Sequence, residues 1–211
     1  MRRLYFSVIA SFCIFISYAQ DAASVFIDMP RNKIMLLADE SRKSMVDLYT
    51  SGSQAKMTNV FGGESILTEL TSDYLKLQLT DQNTFELRLL PSSGDSDKVV
   101  CVVRTACAPV CDSRIEFYSL RWEAMSAEEL MPVFNSEVFL NDKDSGSEAR
   151  TNALTALETS FFKYELNAAN TNLTVSYTTP FFPGKEEREQ LAPYLLDRSL
   201  VFHWTPEGFR Y

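Results

Sequence analysis

Two short stretches in which apolar and polar residues alternate place the strongest constraint on the fold of this chain. Residues 74–80 carry three leucines on one face, and residues 84–89 carry Phe85, Leu87 and Leu89 on one face. Side chains alternate between the two faces of a β-strand, so this period of two predicts two half-buried strands. Only three polar residues separate them, which leaves no room for a parallel crossover, and the pair is predicted to be an antiparallel hairpin.

Residues 98–120 extend this pattern into a larger sheet. Residues 99–103 are apolar on both faces, which is typical of a central strand, and residues 114–118 alternate again. The spacers between successive strands are short throughout residues 57–122. This region therefore predicts a meander of four or five antiparallel strands.

Helical and strand patterns also flank the meander. Residues 30–50 predict one helix, or a short helix and then a longer one, and residues 184–196 predict a short helix. Residues 161–178 predict a further hairpin, and residues 200–209 predict a final strand pair. The predicted fold class is α+β: a mainly antiparallel meander sheet with one or two N-terminal helices and one short C-terminal helix packed on it.

The N-terminus has the three parts of a secretory signal peptide. Two arginines are followed by an apolar core at residues 4–16 and by a small-x-small motif that ends at Ala19. The apolar core is shorter than the roughly 20 residues that span a bilayer, although an uncleaved anchor is the alternative. We expect residues 1–19 to be a cleaved signal peptide and residues 20–211 to form a single α+β domain of unknown function.

The charge of the mature chain argues against two classes of partner. The full sequence has 20 basic and 28 acidic residues, and cleavage removes two arginines, so the mature chain has 18 basic residues and a net charge of −10. An acidic chain without a basic cluster is poorly suited to nucleic acids and to anionic membrane surfaces. We expect an unknown envelope protein or a small ligand as partner, no nucleic acid, and no stable membrane insertion after signal cleavage.

Cys107 and Cys111 flank a turn that contains Pro109. In an exported chain these cysteines are the predicted disulfide, and so short a loop would contribute about 2 kcal/mol. Reduced thiols, a redox dithiol and half a metal site are the alternatives. Redox pairs usually have two intervening residues, and zinc needs about four ligands. Cys101 is then a small buried residue, unless it pairs with one of the other two.

His203 is the sole histidine of the sequence, so a Ser-His-Asp or Cys-His mechanism would have to use it. It lies among apolar residues, and no G-x-S-x-G motif is present. We therefore predict no catalytic, cofactor-binding or metal-binding residues and no enzymatic activity.

The function that we expect is that of a non-catalytic binding or interaction module, which would show a concave apolar face or an exposed aromatic patch. A thiol-dependent envelope redox protein using Cys107 and Cys111 is one alternative. A hydrolase using His203 with a carboxylate is another.

Several longer stretches carry a family resemblance. They are the Ala19-Gln20 junction, TNVFGGESILTELTSDYLKLQLT, VVCVVRTACAPVCDSRIEFY, and NLTVSYTTPFF followed by KEEREQLAPYL. Together they resemble an uncharacterised family of secreted Bacteroidales proteins, known as a domain of unknown function, over about residues 24–211. The Cys-Ala-Pro-x-Cys hairpin is the most specific part. The resemblance implies a periplasmic or outer-membrane-associated protein of a gut-type anaerobe, and it brings no catalytic residues.

Overall fold

The computed structural model describes residues 20–93, 98–157 and 159–211. The predicted signal peptide, residues 1–19, lies outside the described residues. Within the described ranges the chain forms two antiparallel sheets and several short helices, which confirms the α+β fold class.

The first sheet is a meander of seven strands in which each strand pairs with the next one along the chain. The strands are β1 (Lys56–Thr58), β2 (Glu64–Leu70), β3 (Tyr74–Thr80), β4 (Asn83–Pro91), β5 (Lys98–Cys107), β6 (Cys111–Tyr118) and β7 (Ala124–Met125). The predicted meander is confirmed and is longer than the four or five strands expected. The short edge strands β1 and β7 contribute to the difference.

The second sheet has the strand order β11-β10-β9-β8. Its strands are β8 (Phe162–Leu166), β9 (Asn172–Tyr177), β10 (Leu200–Thr205) and β11 (Gly208–Arg210). The predicted hairpin and the predicted final strand pair are both present. The sequence did not show that they join each other in a sheet separate from the meander.

Helices precede the first strand and connect several of the later strands. The α-helices are α1 (Ala22–Ile27), α2 (Asp39–Thr50), α3 (Ala127–Leu130), α4 (Glu148–Leu154) and α5 (Lys185–Leu191). The region predicted at residues 30–50 is a 3-10 turn followed by α2. Helix α1 was not predicted, and it begins with a capping box in which Asp21 accepts the amide of Ser24 at 2.8 Å.

The seven-stranded sheet lies between the N-terminal helices and the second sheet. Its helix-facing side buries Leu87 with Phe26 of α1, and its other side buries Phe117, which stacks on Trp204 of β10 at 6.0 Å. Strand β4 is buried on both faces from Phe85 to Leu90, as expected for the middle layer.

The C-terminal helix α5 corrects one detail of the prediction. We expected it to pack on the sheet, whereas its buried Leu191 packs in a separate cluster with Ala153 of α4 and Tyr194. The second sheet and the N-terminal helices already cover the two faces of the meander, so α5 packs on α4 instead.

Side chains of the first sheet satisfy the open edge of β8. The amides of Phe162, Tyr164 and Leu166 donate to Asp112 Oδ1, Ser113 Oγ and Glu86 Oε2 at 3.2, 3.0 and 2.8 Å. These amides are two residues apart, so they lie on the side of β8 that does not pair with β9. Three acceptors thus take the place of a neighbouring strand and fasten the two sheets together.

A buried ionic cluster supports this junction. Glu86 forms a 2.9 Å ion pair with Lys76, and Arg88 donates to the carbonyls of Asn167 and Ala168 in the turn after β8. Burial alone would lower the pKa of Lys76, but the hydrogen bond to Glu86 and the charges of the nearby carboxylates together outweigh burial and raise that pKa. Burial, reinforced by the charge of Glu86, also raises the pKa of the neighbouring Tyr74 hydroxyl.

None of the helices within residues 20–93, 98–157 and 159–211 combines the length and the apolar character needed to cross a bilayer.

Candidate functional site

The predicted cysteine pair lies at the tip of the β5–β6 hairpin, where Cys107 faces Cys111 in the strand register. The two sulfurs are 2.05 Å apart, which is the length of a disulfide bond. The amide of Cys107 donates to the carbonyl of Gln82 at 2.9 Å, so the tip is also held by the preceding turn. The Ala108–Pro109 peptide bond in this tip is cis.

The third cysteine of the domain, Cys101, is fully buried in β5 and unpaired. Burial raises the pKa of its thiol, and the charge of Glu86 raises it further. A buried thiol that resists ionisation is a poor nucleophile. Cys101 therefore fills space in the core, as the sequence indicated.

His203 is exposed on β10, and its Nδ1 lies 2.9 Å from the side-chain Oδ1 of Asn172 on β9. A carboxamide neither takes up a proton from imidazole nor acts as a nucleophile at neutral pH. The hydrolase hypothesis required a carboxylate or a hydroxyl within hydrogen-bond reach of this ring. Among the described residues Asn172 is its hydrogen-bond partner, so we do not retain that hypothesis.

The hairpin tip is joined to the end of the second sheet through Thr178. The buried Thr178 hydroxyl donates to the carbonyl of Cys111 at 2.6 Å. The next residue, Thr179, accepts the amide of Phe161 with its hydroxyl at 2.6 Å. The chain that follows, a 3-10 turn at Thr179–Phe181, is thus anchored at its start.

That turn forms one wall of a cleft of about 560 Å³ at the end of the second sheet. Phe139, which is buried, stacks on Tyr177 with ring centroids 5.4 Å apart, and the buried Pro180 also lines the cleft. Phe181 forms the outer part of this wall and is 65% exposed. Its neighbour Phe182 is 54% exposed but does not line the cleft, and its ring centroid lies 5.8 Å from that of Phe161.

Four polar side chains also line the cleft, next in sequence to the apolar Tyr177 and Leu196, and they form its polar rim. Ser176 and Ser199 share a 2.9 Å hydrogen bond between their hydroxyls where β9 ends and β10 begins. Asp197 and Arg198 are exposed next to them, and the guanidinium of Arg198 donates to the carbonyl of Val138. An apolar wall and a polar rim give this surface the character of a binding site.

Tyr177 adds a polar atom within the wall. Its side chain is buried, and its hydroxyl has no hydrogen-bond partner among the residues that the structure describes. A buried polar group without a partner costs about 1–3 kcal/mol, and such groups are rare in folded proteins. Because this hydroxyl oxygen has almost no contact with solvent, it is a cost to the fold and not a group that a ligand in the cleft would reach.

A second exposed apolar surface lies elsewhere on the molecule. Val60 and Phe61 protrude between β1 and β2, and the amide of Val60 donates to the carbonyl of Leu36, beside the exposed Met35. Phe61 is 86% exposed and does not line the cleft. Phe61 thus resembles Phe181 in being a highly exposed phenylalanine, but it lies outside the cleft.

Comparison with known proteins identifies the family. A sequence profile of the family described as "Protein of unknown function (DUF3256)" matches residues 14–209. The chain belongs to this family. The match confirms the resemblance to an uncharacterised family that the sequence motifs indicated. No protein with a curated description matches the chain.

A solved structure shares the fold of this DUF3256 protein. It is a domain of an uncharacterized protein from Porphyromonas gingivalis W83, 24% identical in sequence, with a TM-score of 0.78. The alignment covers 89% of this chain and 96% of the other. The likeness shows a common fold, and the source of that structure belongs to the Bacteroidales.

The cleft of this DUF3256 protein was not found by sequence reasoning. Its walls come from a 3-10 turn at Ser136–Phe139, from residues 176–181 and from residues 195–199, and no local spacing connects them. The available signal was the pair Phe181-Phe182, which continues an apolar pattern beyond the end of β9. The predicted site residues, Cys107 and Cys111, do not line the cleft but are joined to it through Thr178.

Proposed function

We propose that this protein is a non-catalytic binding module of the cell envelope and that the cleft at the end of the second sheet is its ligand site. The observation that carries the proposal is the exposed Phe181 ring beside a rim of four polar side chains, Ser176, Asp197, Arg198 and Ser199. The cleft volume, about 560 Å³, lies within the range of small-molecule sites. Such sites are mainly apolar and use a few polar groups to orient the ligand.

The positions of the candidate nucleophiles and bases support a role without catalysis. The Cys107 and Cys111 sulfurs are bonded to each other, and Cys101 is buried with a raised pKa. The single histidine contacts an amide. None of these groups has the neighbouring base or exposed thiolate that nucleophilic catalysis requires within the described parts of the chain.

Two features support an envelope location. Residues 1–19 have the composition of a signal peptide, and a disulfide is typical of an oxidising compartment. Fractionation of the native cells with N-terminal sequencing tests this part of the proposal. We expect a periplasmic or outer-membrane fraction in which Gln20 is the first residue, and a full-length cytoplasmic protein would contradict it.

The binding role is tested with the neutral fluorophore N-phenyl-1-naphthylamine, whose emission rises in apolar sites. We expect the wild-type protein to bind this probe and Phe181→Ser to bind it about tenfold more weakly, because the variant removes the exposed ring. Phe61→Ser is the matched control, since Phe61 is also a highly exposed phenylalanine but does not line the cleft. Equal binding by Phe181→Ser and the wild type would overturn the assignment of the cleft.

A further inference from the structure

The charges on the rim of the cleft restrict the class of ligand. Asp197 and Arg198 are adjacent and exposed, and they bring one negative and one positive charge to the same rim. An anionic ligand would meet the Asp197 carboxylate as well as the net negative charge of the chain, and a cationic ligand would meet the Arg198 guanidinium. The rim is therefore best matched by a neutral ligand.

The hydrogen-bonding groups of the rim restrict the ligand further. A carboxylate only accepts hydrogen bonds and a guanidinium only donates them, whereas the hydroxyls of Ser176 and Ser199 do both. Arg198 uses one donor on the Val138 carbonyl, which holds the side chain in place while its other N–H groups remain available. A ligand with several hydroxyl groups satisfies this mixture, because each hydroxyl both donates and accepts.

The aromatic wall of the cleft adds a further requirement on the ligand, which is an apolar surface. The same cleft is lined by the exposed ring of Phe181 and by these polar side chains, so a matching ligand has an apolar surface as well as several hydroxyls. Aromatic faces carry partial negative charge and attract C–H groups. A pyranose ring has this arrangement, with C–H bonds on its faces and hydroxyls around its perimeter.

We propose that the cleft binds a neutral sugar ring, with a C–H face against Phe181 and hydroxyls on Asp197, Arg198 and the Ser176–Ser199 pair. This inference rests on the proposed binding role and names its ligand class. A purely apolar ligand fits less well, because it would cover the charged rim groups without giving them hydrogen bonds.

The test is an amide chemical-shift titration of the labelled protein with methyl glycosides of glucose, galactose and mannose, followed by competition with N-phenyl-1-naphthylamine. We expect at least one glycoside to shift Ser176, Phe181 and Ser199 and to displace the fluorophore. Phe181→Ser should weaken this binding about tenfold and Asp197→Asn about fivefold, while Phe61→Ser leaves it unchanged. The methyl glucuronide, an anion, should bind more weakly than the neutral glucoside and recover affinity in Asp197→Asn.

The outcomes separate the two proposals. Binding of the fluorophore in the cleft without binding of any neutral glycoside would overturn the sugar inference and leave the binding role intact. Binding of the glucuronide in preference to the neutral glucoside would also overturn the inference, because it contradicts the charge argument. If neither the fluorophore nor a glycoside perturbs the cleft, both proposals fail.

Discussion

The Thr178 hydroxyl donates to the carbonyl of Cys111 at 2.6 Å and thereby ties the disulfide-closed tip of the first sheet to the cleft of the second. Thr178 is buried, and two residues later Pro180 and Phe181 form the aromatic wall. The disulfide-closed hairpin tip, the most distinctive feature of the sequence, thus helps to hold the candidate ligand site in place.

Substitution of Thr178 tests this support. Thr178→Val keeps the shape of the side chain but removes the donor, and we expect a loss of about 1–3 kcal/mol in the free energy of unfolding measured in urea. The variant should also bind N-phenyl-1-naphthylamine more weakly, because the turn that carries Phe181 loses its anchor. Thr68→Val is the control: the exposed Thr68 hydroxyl donates to Lys76, and its loss should cost no more than about 0.5 kcal/mol. Wild-type stability in Thr178→Val would contradict the role of this bond.

Substitution of Glu86 tests the junction between the sheets. Glu86→Ala leaves the Leu166 amide and Lys76 without their acceptor. We expect the free energy of unfolding to fall by about 3 kcal/mol. This is the lower end of the range for a broken buried ion pair, because Lys76 is partly exposed. Glu64→Ala removes an exposed ion pair with Lys56 in the same sheet and should cost about 1 kcal/mol or less. Equal losses in the two variants would show that Glu86 does not fasten the sheets.

Alkaline pH tests the burial of Tyr74. Its pKa is raised above the ordinary value of 10.0 by burial and by the charge of Glu86. Above pH 10 the unfolded chain therefore loses a proton that the folded chain keeps, and stability falls as pH rises. Tyr74→Phe has no hydroxyl proton at this position, so its free energy of unfolding should fall less steeply between about pH 10 and pH 12. The difference between the two slopes should correspond to about one proton. Identical slopes for Tyr74→Phe and the wild type would contradict the raised pKa.

Thiol chemistry separates the binding role from the redox alternative. We expect iodoacetamide to label none of Cys101, Cys107 and Cys111 in the folded protein, because two are bonded and one is buried. The double variant Cys107→Ser, Cys111→Ser should lose about 2 kcal/mol of stability, the chain-entropy contribution of a short loop. Mass mapping that finds a labelled Cys107 or Cys111 in the untreated native protein would instead favour the thiol-dependent function.

Much of the fold could be predicted from the sequence, because the alternation of apolar and polar residues matches the observed burial. The alternation that places Phe85, Leu87 and Leu89 on one face gives the hairpin directly, and these side chains do face the N-terminal helices. Helix α1 was missed because it has only six residues, and its main signal was the spacing of Asp21 and Ser24.

The contact between the two sheets could not be predicted, because it depends on residues that are far apart in the sequence. Glu86 and Arg88 occupy the polar face of β4, which a period of two assigns to solvent. In the structure both are buried, and besides Lys76 and Asp73 their partners are backbone groups about 80 positions further along the chain. The cleft depends in turn on this stacking, which is why the cysteine pair was predicted as the site and the surface around Phe181 was not.

Amide chemical-shift mapping of the labelled protein during titration with N-phenyl-1-naphthylamine tests the central claim most directly. The proposed role predicts that the shifted amides cluster at residues 176–181 and 195–199, and that this cluster is lost in Phe181→Ser. Shifts that instead cluster around Met35, Val60 and Phe61, with no change at the cleft, would contradict the assignment of the cleft as the ligand site.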